Sequence, residues 1–124
     1  MNILMLDDDS SRYTEFKERS KCNVDYVYTV SQMIERLREN RYDYLLLDHD
    51  LDLTDTQTGQ DAAKWLANNV LHIHKDMKII IHSLNSHGVA HMMTILRHLT
   101  QDVIAIPWLW TKVQESKNYL VITI

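Results

Sequence analysis

Apolar residues fall along this chain in short blocks that switch between two periods. Five blocks are strand-length and nearly continuous: NILML (2–6), NVDYVY (23–28), YDYLLLD (42–48), MKIIIHS (77–83) and DVIAIP (102–107). Runs of this length, with β-branched and aromatic residues, predict buried strands. The last closes on Pro107, which cannot donate to a central ladder. Between the blocks the spacing changes to i, i+3, i+4, i+7, the mark of a helix with one apolar stripe. Tyr13 and Phe16 begin such a stripe, and Val30, Met33, Ile34 and Leu37 make the second. Ala62, Trp65, Leu66 and Val70, then Val89, Met92, Met93 and Leu96, make the third and fourth. Ser10 or Ser11 can cap the first helix, and Thr29-x-x-Gln32 matches a capping box for the second.

Strands alternating with helices at this rhythm predict one α/β domain over 1–124, a five-stranded parallel sheet with helices on both faces. In such sheets ligands lie beyond the carboxyl ends of the strands. That rule gathers the unusual residues at one edge. Asp7-Asp8-Asp9 follow the first strand, Asp48-His49-Asp50 with nearby Asp52 the third, and His82-Ser83-x-Asn85 the fourth.

Converging Asp7, Asp8 and Asp48 would repel one another unless a cation sat among them, and hard oxygen ligands with open positions suit Mg²⁺ or Mn²⁺. The bland alternative is an acidic pocket that holds no metal. His49 and His82 leave adjacent strands beside this cluster, and imidazoles are suited to moving protons near neutral pH. Ser83 lacks the surroundings of a nucleophile and suits a hydrogen bond to phosphate. Asn85 can do the same or cap the fourth helix; Gly88 can admit a ligand close to the backbone. Arg12 is either a phosphate clamp or an exposed helix residue. Asp61 at the head of the third helix suits the helix dipole. His72 and His74 read as surface residues, as do His87, His91 and His98, with His87 nearest the site. Trp108 and Trp110 either pack or stack a base.

Composition narrows the classes. A net charge of −4 argues against a broad nucleic-acid surface but permits recognition of one nucleotide end. The single cysteine, Cys22, has no internal partner and falls in a strand-like run, so it is expected as a buried apolar residue. Met1–Leu6 has no basic start before Asp7, and the longest stretch free of Lys, Arg, Asp and Glu (79–96) is interrupted by His82, Ser83, Asn85, Ser86, His87, Gly88 and His91. A cytoplasmic protein with no membrane span is expected.

Over essentially its whole length the chain resembles a response-regulator receiver domain, a flavodoxin-like fold. Asp7 and Asp8 match the acidic pair, Asp48 the phospho-acceptor and Ser83 the hydroxyl residue. Ile106 stands before Pro107 where a receiver has lysine, which argues against ordinary phospho-relay. The additional motifs LDHDL, TGQDAAKWL and HSLNSHGVAHM resemble the cyclic-phosphate processing receiver family, a divergent branch found with RNA-repair genes and in phages. Asp48, His49, Asp50, Gly59, Asp61, His82, Ser83, Asn85 and Gly88 match its pattern, and Arg12 fits its basic residue at the start of the first helix.

The resemblance implies a metal-dependent phosphoesterase that hydrolyses cyclic phosphates at RNA ends or in cyclic nucleotides. It also implies Asp8 and Asp48 as direct metal ligands, Asp7 through water, and Asp50 through its carbonyl. Asp48, His49 and His82 would then be catalytic, one imidazole taking a proton from water and the other giving one to the leaving oxygen. Ser83, Asn85, Arg12 and Gly88 would face the substrate. A signalling or interaction module on a degenerate receiver is the alternative. A haloacid-dehalogenase-like phosphatase, suggested by Asp48-x-Asp50, fits poorly because those aspartates follow the third strand rather than the first. The C-terminal NYLVITI (118–124) has strand chemistry where a receiver has its fifth helix. Either that helix is cut to about 108–117, or the tail adds a strand, in this subunit or in the partner of a homodimer.

Overall fold

Strand pairing follows the apolar blocks closely in the computed structural model, which describes residues 1–51, 57–69, 71, 73, 75–99, 101–108, 110, 112–117 and 119–124. Expectations for Asp52, Val70, His72 and His74 lie outside the described residues. The strands are β1 (Asn2–Leu6), β2 (Asn23–Val27), β3 (Tyr44–Leu47), β4 (Lys78–Ile81) and β5 (Val103–Ala105). All pair in parallel, in the order β2-β1-β3-β4-β5. The helices are α1 (Ser10–Ser20), α2 (Val30–Glu39), α3 (Gly59–Asn68) and α4 (Ser86–Leu96).

Alternation along each strand divides the core in two. Leu4, Leu6, Leu45, Leu47, Ile79 and Ile81 face α2, α3 and α4, meeting Met33, Leu37, Ala62, Leu66, Met92 and Leu96. Ile3, Met5, Leu46 and Ile80 point the other way, to Phe16 of α1, with Cys22 buried on the same side. Burial pushes the Cys22 thiol above its ordinary pKa, as expected of an apolar packing residue. Asp9 caps α1, accepting from Ser11 N–H at 2.9 Å, where Ser10 or Ser11 was expected. Thr29 caps α2 as expected, accepting from Gln32 N–H at 3.1 Å, while Gln32 reaches one residue further back, to Tyr28 N–H at 3.0 Å.

The C-terminal segment settles as strand, not helix. Lys112–Ser116 (β6) and Tyr119–Thr123 (β7) form an antiparallel hairpin turned at Lys117, which adopts φ 47°. It pairs within itself rather than extending the main sheet. Val113 is buried against the Phe16 side of the core with Trp110, and Leu120 and Ile122 pack alongside. Leu120 N–H donates to Tyr44 Oη at 3.2 Å, tying the hairpin to the sheet. Strand at Lys112–Ser116 excludes a helix over 108–117: burial alternates residue by residue along YLVIT, and Val113 is the one buried residue of KVQES, a period of two rather than 3.6. α1 and the hairpin together cover one face; α2, α3 and α4 cover the other. Among the described residues, no helix is long and apolar enough to cross a membrane.

Candidate functional site

Parallel ladders carry three strand exits to the same height. Asp7 N–H donates to Val27 O at 3.1 Å, Asp48 N–H to Leu6 O at 3.0 Å and His82 N–H to Leu47 O at 2.9 Å. Each residue just past its strand therefore stays in register with its neighbour, and the side chains have no choice but to meet. Asp7, Asp8 and Asp48 each offer a carboxylate oxygen, and the three lie within 4.8 Å of one another. Asp7 and Asp48 are buried; Asp8 is exposed.

The positive partner is Arg12, one turn into α1. Its Nη1 lies 3.3 and 3.4 Å from the two Asp7 oxygens and 3.4 Å from Asp48 Oδ2. Its Nε lies 3.8 Å from Asp9. Burial disfavours the guanidinium charge, but Asp7 and Asp48 outweigh it and hold Arg12 above its ordinary pKa. Arg12 is thus not a free surface residue; it bridges two of the acids while its side chain stays 28% exposed.

The two buried acids divide their roles. Burial raises Asp7, yet the His82 hydrogen bond and charge, the Asp9 N–H at 2.8 Å and Arg12 together hold it below the usual carboxylate range. Burial and then the Asp7 charge push Asp48 up to about 6, against the pull of His82, the His49 N–H and Arg12. Next to them, burial and the charges of Asp7, Asp8 and Asp9 push Tyr26 of β2 up to about 12. Three converging carboxylates suit a hard divalent cation, which would share Asp7 and Asp48 with the Arg12 guanidinium.

His49 is fixed by a chain of capping bonds. Asn85 caps α4 with its Oδ1, which accepts from Gly88 N–H at 3.0 Å, so its Nδ2 must face the other way. That Nδ2 donates to Asp50 Oδ1 at 3.2 Å. The same oxygen lies 2.8 Å from His49 Nδ1. A carboxylate only accepts, so Nδ1 carries a hydrogen, and the 3.3 Å approach of Asn85 Nδ2 to Nδ1 is a contact between two donors. The hydrogen bond from His49, with that from Asn85, outweighs burial and lowers the Asp50 pKa. The His49 side chain is 14% exposed, at the rim.

Both glycines of the chain serve this corner. A Cβ on Gly59 would stand 2.2 Å from Asp48 O and 2.6 Å from His49 Cα; one on Gly88 would stand 2.4 Å from the His49 ring. Gly59 N–H also donates to His49 O at 2.8 Å. Gly88 is thus matched to a side chain of this protein. Thr58 and Asp61 close a capping box at the head of α3, with Asp61 Oδ2 accepting from Thr58 N–H at 2.9 Å.

His82 is placed differently from His49. It has no exposed surface, and its Nε2–H donates to Asp7 Oδ2 at 2.8 Å. Its ring stands edge-on to Trp108 and Trp110, at 5.4 and 6.4 Å between centroids. Its Nδ1 and Trp110 Nε1 are both buried, with no hydrogen-bond partner among the described residues. Both tryptophans pack into the Phe16 side of the core. Ser83 is buried, its Oγ accepting from Asn85 N–H at 3.0 Å. His87, His91 and His98 are exposed. The Asp50–Asn85 support of His49 and the engagement of Arg12 were not foreseen from sequence; the only written signal was an asparagine three before a glycine at a helix start.

The family model for the cyclic-phosphate processing receiver domain matches residues 2–98. No curated protein matches the chain. Solved structures similar to it are receiver domains. The phosphorylated cyanobacterial phytochrome response regulator RcpA has a TM-score of 0.68 at 17% identity, covering 86% of this chain and 79% of its own. TrrA from Thermotoga maritima, in complex with Mg²⁺ and BeF, has a TM-score of 0.66 at 19% identity, with 87% of each chain covered. A CheY-like receiver domain protein from Methanospirillum hungatei has a TM-score of 0.65 at 15% identity, covering 87% of this chain and 82% of its own.

Proposed function

We propose that this chain, which belongs to the cyclic-phosphate processing receiver domain family, hydrolyses cyclic phosphodiesters at an RNA terminus or in a nucleotide. One observation carries the reading: an imidazole locked in a single tautomer stands at the strand edge where three carboxylates converge.

Mg²⁺ or Mn²⁺ would be held by Asp8 and Asp48 directly, by Asp7 through water and by the Asp50 carbonyl. Bound there, the ion supplies Lewis-acid charge to the phosphoryl oxygens. His49, with its Nδ1–H given to Asp50, presents Nε2 as the base for an attacking water. The water oxygen bonds to phosphorus, one ring P–O bond breaks, and the freed ribose oxygen takes a proton from solvent, leaving a phosphomonoester. The imidazolium then returns its proton to solvent. Ser83 already accepts a backbone N–H, so its hydroxyl proton is the part it can offer to a phosphoryl oxygen.

Direct proton donation by His82 is not carried into this scheme, because the ring has no surface a substrate could touch. His82 acts instead as a positioning residue that holds Asp7 ionised and oriented. Asn85 likewise acts through Asp50, and Gly88 by making room for His49.

The test is hydrolysis of nucleoside 2′,3′-cyclic phosphates with Mg²⁺ or Mn²⁺. His49→Ala is expected to lower kcat at least ~100-fold, the scale of a lost general base. Activity unchanged in that variant rejects the mechanism. A second reading, a signalling module, draws support from the receiver fold of the similar structures. Ile106, where a receiver has lysine, packs with the apolar core and offers no charge to an acyl phosphate. Stable labelling of Asp48 by a small phosphodonor would favour this second reading.

A further inference from the structure

The strand order sets out a line of side chains along the carboxyl edge. Tyr28 follows β2, Asp7 and Asp8 follow β1, Asp48 and His49 follow β3, and His82 and Ser83 follow β4. Neighbouring strands run ~4.8 Å apart, which puts the Tyr28 backbone about 5 Å from that of Asp7 and about 10 Å from that of Asp48. Ser83, one strand further, lies about 14 Å from Tyr28, so a nucleotide whose phosphate sits over the acids would direct its base toward the Tyr28 end of the line.

Tyr28 is built to stay in place. It is 44% exposed, while its ring meets Tyr26 at 6.2 Å between centroids, and Tyr26 stacks on Tyr13 at 4.8 Å and 14°. Its N–H is tied to Gln32 Oε1 at 3.0 Å. The ladder thus backs an outward ring with two inner ones and a helix cap. The tryptophans that could serve the same purpose are committed to the core. Tyr119, the other exposed aromatic ring among the described residues, lies on the hairpin beside Lys78 at the start of β4, at the opposite end of the sheet.

We propose that Tyr28 is the base platform of this site, stacking the aromatic ring of a nucleotide whose cyclic phosphate lies between Asp8 and Ser83. The proposal rests on the phosphoester reading and adds to it a residue that prefers esters carrying a base. Leu84, 61% exposed between Ser83 and Asn85, borders the far side of the same line.

The experiment measures binding, so it does not depend on turnover. In the His49→Ala background with Mg²⁺, calorimetry compares adenosine 2′,3′-cyclic phosphate with glycerol 1,2-cyclic phosphate, which has no base. Tyr28→Ala is expected to weaken the adenosine ester roughly tenfold, the scale of one lost base–aromatic stack, and to leave the glycerol ester unchanged. Tyr28→Phe is expected to keep adenosine binding within about twofold, since the π-face remains. A short RNA bearing the same cyclic end, equally sensitive to Tyr28→Ala, extends the platform to strand ends. Equal weakening of both esters, or no change in either, overturns the platform. A base-dependent loss on binding in a protein that opens neither ester sinks the hydrolase and leaves the platform standing. Hydrolysis of both esters with identical KM, unmoved by Tyr28→Ala, does the reverse.

Discussion

The carboxylate of Asp50 fixes more than the tilt of its neighbour's ring: it decides which nitrogen of His49 carries the hydrogen. Arg12 plays a comparable part among the acids, neutralising Asp7 and Asp48 from 3.3–3.4 Å. A divalent ion bound to the same oxygens must contend with that guanidinium. Arg12→Gln is therefore expected to tighten Mn²⁺ binding by roughly fivefold, about 1 kcal/mol for a partly exposed charge. Free Mn²⁺ counted by electron paramagnetic resonance checks this, and unchanged or weaker binding would show that the arginine does not oppose the ion. Asp48 gives a pH prediction. Its pKa is raised from 3.8 to about 6 by burial and by Asp7. Its contribution to stability is therefore fully present below about pH 4 and lost as pH rises through about 6. In metal-free protein, Asp48→Asn is expected to gain about 1–2 kcal/mol over wild type at about pH 7.5, and nothing at about pH 4. Thermal melts across that range measure it, and a gap that widens toward acid would reverse the sign. From sequence, the residue types were legible and their pairings were not: Arg12 had two readings there, and His49 and His82 looked alike.

Helix starts are the elements that bring this site together. α3 begins against the Asp48–His49 backbone and α4 begins against the His49 ring, and in each case a glycine makes the approach possible. The two glycines meet different atoms, so they should fail differently. Gly59→Ala would drive a methyl into main chain, and a loss of more than about 2 kcal/mol is expected, because a backbone atom cannot swing aside. Gly88→Ala meets a side chain that can rotate. It is expected to cost about 1 kcal/mol in stability while displacing His49 and removing most activity. Denaturant melts set beside turnover separate the two, and equal losses in both variants would show that Gly88 is only a packing residue. The helices themselves were readable from the 3.6 period, and the cap at Thr29 from its spacing. The cap at Asp9 was not, because Ser10 and Ser11 offer the same chemistry one and two residues later.

At the scale of the whole molecule, four helices and one hairpin among the described residues enclose a five-stranded sheet. The family model ends at residue 98, before β5 and the hairpin. Removing residues 112–124 would uncover Ile3, Met5, Phe16 and Leu46, so the shortened chain is expected to lose cooperative unfolding and to bind hydrophobic dye. A truncated protein that melts as sharply as the full chain would show the hairpin to be an ornament. Sequence by itself determined the alternation of strand and helix, and with it the edge at which Asp7, Asp48, His49, Ser83 and Asn85 gather, because hydrophobic period and the parallel-sheet rule are both written locally. Tertiary structure alone decided that His82 turns inward to Asp7 while His49 stays at the rim, that Arg12 lies among the acids, and that the C-terminal strands pair with each other. His82–Asp7 and Arg12–Asp48 join residues 75 and 36 positions apart, which no local spacing encodes, and the hairpin, though local in pairing, is held in place by Tyr44 and the Phe16 side of the core.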